Sequence, residues 1–97
     1  MKNAILARRY YVSGRVQGVG FRNYVEHVAN KLDLGGYVRN RHDGSVEVLA
    51  IGTSEQLDRL RAALEKGPML SDVAQVREEP GSPDQRYIGN FTIELTL

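Results

Sequence analysis

The feature that most limits the fold of this chain is a change of hydrophobic period on either side of a glycine-rich run. Before the run, residues 9–16 alternate, with Tyr10 and Val12 on one side, which predicts a half-buried strand. After it, apolar residues recur at helical spacing from Phe21 to Leu32, which predicts an amphipathic helix. The run itself, GRVQGVGFRN at residues 14–23, contains three glycines. The sequence therefore predicts a strand, a tight loop and a helix in direct succession.

A hairpin follows this first helix. Gly35 and Gly36 are expected to end the helix, because glycine is common just past a helix terminus. The segment YVRN at residues 37–40 predicts a short strand, and HDG at 42–44 predicts a tight turn, since Asp-Gly readily adopts positive φ. The segment SVEVLAI at residues 45–51 then returns as the partner strand.

The second half of the chain repeats the pattern of helix and strand. Thr53 and Gln56 have the spacing of a capping box, and they precede a leucine stripe that ends at Gly67 and Pro68. The later segments are VAQVRE at 73–78 (a strand), PGSPD at 80–84 (a loop) and FTIELTL at 91–97 (a strand with Phe91, Ile93, Leu95 and Leu97 facing one way).

This order of elements predicts an α+β fold of the ferredoxin-like split βαβ type. It reads βαββαβ plus a C-terminal strand, with two helices on one face of a mainly antiparallel sheet. The third strand should lie between the first two, which then run parallel through a right-handed crossover. The glycine loop, residues 15–21, and Asn40 should therefore share one edge, about 10 Å apart between backbones.

The glycine loop has the properties of an anion site. Glycines permit positive φ and expose backbone N–H groups, and a helix N-terminus adds further donors and a positive dipole end. Arg22 lies in the first helical turn, where a cation opposes the dipole at a cost of up to ~1 kcal/mol. That placement is explained if Arg22 meets a bound anion. The alternative is a simple tight turn, with Arg22 in a weak surface ion pair.

Asn40 also allows two interpretations. Asn is frequent at strand ends and turns, and by itself the residue would be assigned to that role. Its predicted position beside the glycine loop favours a functional role, because a neutral amide both donates and accepts and could orient a water molecule. His27 falls on the polar side of the first helix and His42 in the hairpin turn, so neither is expected to be catalytic.

Composition sets wider limits. The 97 residues predict one domain, 1–97, and 41% hydrophobic with 26% charged residues is typical of a globular protein. There is no cysteine, which permits a cytoplasmic setting, and with two histidines a structural zinc site is not expected. A net charge of +1 does not predict nucleic-acid binding. We expect no cofactor, no membrane association and a monomer.

Three motifs closely resemble the acylphosphatase family: VSGRVQGVGFR, GGYVRNRHDGSVEV and the LEKGP that ends the second helix. The resemblance runs from about Arg9 to Leu97. It implies a metal-free hydrolase that splits acyl phosphates into a carboxylate and inorganic phosphate without a phosphoenzyme, with inorganic phosphate as a competitive ligand. It also implies that Arg22 anchors the phosphate and that Asn40 positions the nucleophilic water. The implied phosphate-binding residues are Arg15, Val16, Gln17, Gly18, Val19, Gly20, Phe21 and Arg22.

Two departures and two alternatives accompany the resemblance. Many members of the family carry Trp where this chain has Tyr37 and Gly where it has Asp33, and we expect the first change to affect packing.

The alternatives are a catalytically weak, anion-binding regulatory domain and an RNA-binding module of the same fold. The sheet face that such a module would use offers one aromatic in the first strand, Tyr11, beside Glu47, Leu49 and Ile51. We expect Tyr11, Leu49 and Ile51 to be exposed, and a sheet-face contact, partial cover by the C-terminal segment and ordinary surface hydrophobicity are all open explanations.

Overall fold

A computed structural model describes residues 4–97. Its strands are β1 (Leu6–Arg15), β2 (Gly35–Asn40), β3 (Val46–Gly52), β4 (Asp72–Pro80) and β5 (Phe91–Ile93), and its helices are α1 (Phe21–Lys31) and α2 (Ser54–Lys66), with a short 3-10 helix at Gln85–Tyr87. The five strands form one sheet in the order β4-β1-β3-β2-β5. The predicted α+β, ferredoxin-like fold is confirmed.

The topology brings the ends of β1 and β2 to one edge of the sheet. Both strands pair antiparallel with β3, which lies between them, so they run parallel to each other. β5 adds to the outer side of β2 in parallel, with Val38 opposite Ile93. The chain leaves β1 at Arg15, and β2 ends at Asn40 on the same side of the molecule, as the sequence predicts.

The main core lies between the sheet and the two helices. It contains the inward residues of β1, β2 and β3 and the apolar stripes of both helices (Tyr10, Val12, Val38, Val46, Val48, Ala50, Phe21, Val25, Ala29, Leu57, Leu60 and Leu64). Tyr10 brings a polar atom into this layer, and its hydroxyl donates to the carbonyl of Leu57 at 3.2 Å. Burial of these side chains holds both helices on one face of the sheet.

The predicted end of α1 needs correction, while that of α2 is confirmed. Gly35 and Gly36 do not stop α1 but form the first residues of β2. The chain turns instead at Asp33, whose φ of 57° is left-handed, and Leu34 N–H donates to the carbonyl of Ala29 at 2.9 Å. These are features of a Schellman motif, in which glycine is the usual residue at the position of Asp33.

The predicted C-terminal strand is too long. β5 ends at Ile93, and Leu95 and Leu97 are 90% and 60% exposed rather than packed on the core. The backbone still follows β2, because Glu94 N–H donates to Val38 at 2.9 Å and Leu97 N–H donates to Asn40 at 3.1 Å. Alternation predicts the side on which a residue lies, but burial also requires a covering layer, and no described residue covers Leu95.

The sheet face away from the helices is less open than expected. Leu49 and Ile51 are buried, at 2% and 4% exposure, in a second apolar cluster with Ala7 and Tyr37. Tyr87, from the connection between β4 and β5, packs against this cluster, with its ring 5.3 Å from that of Tyr37. The expectation that Leu49 and Ile51 are exposed is therefore wrong, because that connection folds back over the sheet.

Glu47 is the polar centre of this covered face and is only 1% exposed. Its carboxylate accepts hydrogen bonds from the guanidiniums of Arg9 (3.1 Å), Arg39 (3.2 Å) and Arg41 (2.8 Å), and from the hydroxyl of Tyr37. Burial acts to raise the pKa of the Glu47 carboxyl, but these hydrogen bonds and positive charges outweigh it and hold the pKa below its ordinary value.

Candidate active site

The three glycines of the first motif have two different roles. Gly14 lies in β1, where the pairing with β4 shifts register between Ser13 and Gly14, so it belongs to a β-bulge. Its φ is +117°, and an added Cβ would collide with the carbonyl oxygen of Asp72 and lie 2.6 Å from the backbone nitrogen of Ala74. Gly14 therefore shapes the end of β1, before the loop begins.

Gly18 and Gly20 form the turn between β1 and α1. Both have left-handed backbones, with φ of 73° and 78°. Gly20 is the N-cap of α1, and no side chain in the described part of the chain caps this helix terminus. The first turn also contains no acidic residue. The positive end of the α1 helix dipole is therefore not offset by a capping side chain or by an acidic residue in the first turn.

The backbone N–H groups of this turn are free. Within residues 4–97, none of the N–H groups of residues 17–23 donates to another protein atom, and Tyr24 N–H is the first to do so, to Gly20 at 3.1 Å. Free N–H groups on a left-handed glycine turn at a helix N-terminus form a recognised kind of anion site.

A single side chain ties the glycine loop to the hairpin of β2 and β3. The amide nitrogen of Gln17 donates to the carbonyl of Arg41 at 2.8 Å and to that of Ser45 at 2.9 Å. The turn that it contacts is closed by Arg41 N–H, which donates to Ser45 at 2.9 Å. The loop is therefore held through a side chain, while its own N–H groups remain free.

The glycine loop and the end of β2 enclose a pocket of about 310 Å³. It is lined by Val16, Gly18, Gly20, Phe21, Arg22, Asn23, Asn40 and Ile93. Arg22 is half-buried and, within residues 4–97, its side chain makes no ion pair or hydrogen bond to a protein group. It is not held in a surface ion pair, so its guanidinium is available to a ligand.

Asn40 has an unsatisfied polar atom at this pocket. Its side-chain oxygen is buried and, within the described residues, has no hydrogen-bond partner. The backbone around it is fixed, because Asn40 pairs with Val46 in β3 and its carbonyl accepts from Leu97 N–H at 3.1 Å. Buried polar groups are nearly always satisfied, so an orphaned amide oxygen at a pocket indicates a missing partner such as water or a ligand.

The structure brings together most of the predicted site residues. Val16, Gly18, Gly20, Phe21, Arg22 and Asn40 all line the pocket. Arg15, Gln17 and Val19 do not: Arg15 is the exposed last residue of β1, the Gln17 side chain turns toward the hairpin, and Val19 packs on the core. His27 and His42 are exposed and lie outside the pocket.

Two lining residues were not identified from the sequence. Asn23 follows Arg22 directly, and only the position of the helix start shows that it borders the pocket. Ile93 reaches the pocket because β5 pairs in parallel with β2, a pairing that the chain order alone does not specify.

Among residues 4–97, no three His, Cys, Asp or Glu side chains come close enough to hold a metal ion. No helix in the same part of the chain is both long enough and apolar enough to cross a membrane.

Comparison with known proteins identifies the family. A family model described as Acylphosphatase matches residues 8–93. An acylphosphatase from Koribacter versatilis is 53% identical over 92% of this chain and 80% of its own length. Solved acylphosphatase structures from Bacillus subtilis (38% identity, TM-score 0.85, covering 92% of this chain and 98% of that one) and Coxiella burnetii (32% identity, TM-score 0.86, covering 93% of each) have the same fold. The chain therefore belongs to the acylphosphatase family of hydrolases.

Proposed function

We propose that the pocket at the glycine loop binds the phosphoryl group of a small acyl phosphate and directs water onto its phosphorus. The observation that carries the proposal is the buried, unpartnered oxygen of Asn40 in the same pocket as Arg22 and the loop glycines. A site with free donors for a phosphate and one free acceptor for a water molecule has the components that hydrolysis of an acyl phosphate requires.

The loop and Arg22 would hold the phosphoryl oxygens. The free N–H groups of residues 17–23 face no internal acceptor, and a guanidinium can bind two phosphate oxygens at once. As negative charge moves over the phosphoryl group, fixed donors of this kind stabilise the transition state by roughly 3 to 4 kcal/mol each. Inorganic phosphate, the product, presents the same oxygens and should compete with the substrate for this site.

Asn40 would hold the attacking water. Its side-chain oxygen accepts a hydrogen bond from the water, which fixes the water opposite the leaving group and removes orientational entropy. The oxygen of the water bonds to phosphorus, the bond from phosphorus to the acyl oxygen breaks, and a carboxylate leaves. Among residues 4–97, no carboxylate or imidazole lines the pocket, so the proton of the water passes to a phosphoryl oxygen or to solvent. A carboxylate is a stable leaving group and needs no acid.

The test is hydrolysis of benzoyl phosphate by the purified protein, with inorganic phosphate as inhibitor and with and without a chelator. We expect turnover that the chelator leaves unchanged. Arg22→Ala should lower kcat/KM by about 10²- to 10³-fold and abolish inhibition by phosphate. Asn40→Ala should lower kcat by about 10²-fold while the inhibition constant for phosphate changes by less than about 3-fold.

Matched controls separate these effects from general damage. Arg59 and Asn30 are exposed residues of α2 and α1, and Arg59→Ala and Asn30→Ala should retain wild-type kinetics. Phosphate inhibition that survives Arg22→Ala would contradict the anchor role. Lost phosphate affinity with unchanged turnover in Asn40→Ala would contradict the water-holding role. Phosphate binding without any turnover in the wild type would favour the regulatory-domain alternative. The cytoplasmic setting and the monomeric state remain predictions.

A further inference from the structure

We propose that Gln17 is a positioning residue, whose side chain fixes the distance between the free N–H groups of the glycine loop and the carboxamide of Asn40. The inference rests on the proposed function, because it assigns those two groups to the phosphoryl oxygens and to the attacking water.

The geometry of Gln17 is that of a two-point clamp. Its amide nitrogen has two hydrogens, and both are used, on the carbonyls of Arg41 at 2.8 Å and Ser45 at 2.9 Å. Arg41 directly follows Asn40 in the chain, so one of the two contacts lies on the residue next to the proposed water-holding group. Gln17 itself lies beside Gly18 in the loop. The clamp thus spans the two halves of the pocket.

The turn that receives the clamp is itself firmly held. Asp43 accepts from the backbone N–H of Ser45 at 2.9 Å and from its hydroxyl at 2.6 Å, and Gly44 N–H donates to Arg41 at 3.1 Å. The glycine loop, by contrast, is not fastened by its own backbone donors, although Val19 packs on the core. Within residues 4–97, no atom other than those of the chain neighbours lies within 4 Å of the position that a Cβ would occupy on Gly18 or Gly20, and the loop N–H groups have no protein partner. The hairpin can therefore set the position of the loop.

A side-chain clamp suits this site for a specific reason. A loop fastened through its own N–H groups would lose the donors that bind the phosphoryl group, whereas Gln17 fastens it and leaves those donors free. Glutamine also supplies suitable chemistry, because its amide nitrogen carries two hydrogens, one for each carbonyl acceptor. A misplacement of about 1 Å between reacting groups can cost about 10²-fold in rate, so a clamp at this point should act on turnover.

The experiment compares two variants of Gln17 with a matched variant elsewhere. Gln17→Met keeps the length of the side chain and removes both donors, and Gln17→Glu places a carboxylate against two carbonyls. The control is Gln56→Met. The amide nitrogen of Gln56 likewise donates to a backbone carbonyl of another element, that of Leu32 at 2.8 Å at the far end of α1, and its oxygen caps Thr53 N–H at 2.8 Å. Kinetics with benzoyl phosphate, the dissociation constant of inorganic phosphate and the urea midpoint are measured for each.

We expect Gln17→Met to lower kcat by about 10- to 100-fold and to weaken phosphate binding by about 3- to 10-fold. Gln17→Glu should lower kcat and weaken phosphate binding at least as much as Gln17→Met does. Gln56→Met should lower the urea midpoint but keep kcat and phosphate affinity within about 2-fold, because it breaks a comparable contact away from the site. If Gln17→Met does not fold, Gln17→Asn, which keeps the amide on a stem shorter by one methylene, takes its place in the comparison.

The inference is overturned if the Gln17 variants lose only stability, with kcat and phosphate affinity unchanged as in Gln56→Met. It is separable from the proposed function. A wild-type protein without turnover contradicts the proposed function, and the phosphate dissociation constants of the same variants still show whether Gln17 positions the loop.

Discussion

The most informative stability variant is Glu47→Gln, because one buried carboxylate pairs with three arginines on the sheet face. The substitution keeps the size of the side chain and one oxygen acceptor but removes the charge. Arg9, Arg39 and Arg41 then converge on a neutral group, and the hydroxyl of Tyr37 loses a charged acceptor. We expect the variant to fold, with a lower free energy of unfolding.

The structure bounds the size of this loss. Removing one partner of a fully buried ion pair costs about 3–5 kcal/mol. Here the side chain of Glu47 is 2% exposed, but the side chains of the three arginines are 24% to 35% exposed, so their charges keep part of their hydration. We therefore expect a loss of about 2–3 kcal/mol at pH 7. For a domain of this size that corresponds to a fall in Tm of roughly 8–24 °C.

The assay is urea unfolding of both proteins across pH, and the sign of the pH effect follows from the pKa of Glu47. That pKa lies below the ordinary value of 4.5 in the folded state, so the folded protein favours the ionised form. The stabilisation is complete above the unfolded pKa and is lost as pH falls through the folded pKa. The difference between wild type and Glu47→Gln should be constant from pH 7 down to about 4.5, and should shrink below it.

A surface pair provides the control. Glu79 and Arg77 form an ion pair at 2.9 Å with both side chains well exposed, so Glu79→Gln should change the free energy of unfolding by less than about 0.5 kcal/mol. The account would be wrong if Glu47→Gln were as stable as wild type at pH 7. It would also be wrong if the difference between the two proteins stayed the same down to pH 3, since the charge would then not be its cause.

Two backbone predictions test the assignments of particular residues. Asp33→Gly should raise the free energy of unfolding by about 0.5–1 kcal/mol, because Asp33 has a φ of 57° that glycine adopts without strain; an unchanged urea midpoint would contradict this assignment. Gly14→Ala should lower the free energy of unfolding by about 2 kcal/mol or more, because its Cβ would collide with the carbonyl of Asp72 across the bulge; thermal unfolding no different from wild type would show that the bulge has room for a side chain.

Much of the fold could be predicted because the hydrophobic period identifies the helices and strands, and general rules of sheet topology limit how they connect. The alternation around Tyr10 and Val12 and the helical spacing after Phe21 identify β1 and α1, and the two residues Asp43 and Gly44 mark the hairpin. Once β3 is placed between β1 and β2, the handedness of the crossover leaves one edge on which Asn40 can lie.

What the sequence did not reveal depends on contacts between distant segments. Leu49 looks like a residue of an open face, and only the return of the chain at Tyr87 buries it. Glu47 lies at an alternating position like any surface residue of a strand, and the convergence of arginines from β1, β2 and the hairpin turn makes it a buried centre. The hydrophobic period of a sequence and the secondary-structure propensities of its residues contain no information about such convergence.

Some features of the candidate site could likewise be predicted from the sequence, and others could not. The glycine spacing and Arg22 predicted the free donors, and the topology predicted that Asn40 is near them. The sequence could not distinguish the glycine of the bulge, Gly14, from the two of the turn, because all three permit positive φ. It also gave no sign of the clamp made by Gln17, since the carbonyls that it contacts belong to backbone more than twenty residues away.

The most direct test of the central claim is a titration of the ¹⁵N-labelled protein with inorganic phosphate, followed by the shifts of its backbone amides. The account predicts that the amides of residues 17–23 shift together, with one dissociation constant equal to the inhibition constant of phosphate against benzoyl phosphate hydrolysis. Arg22→Ala should remove these shifts. If the largest shifts fall instead on the sheet face around Arg9, Arg39 and Arg41, the glycine loop is not the phosphoryl site and the account is wrong.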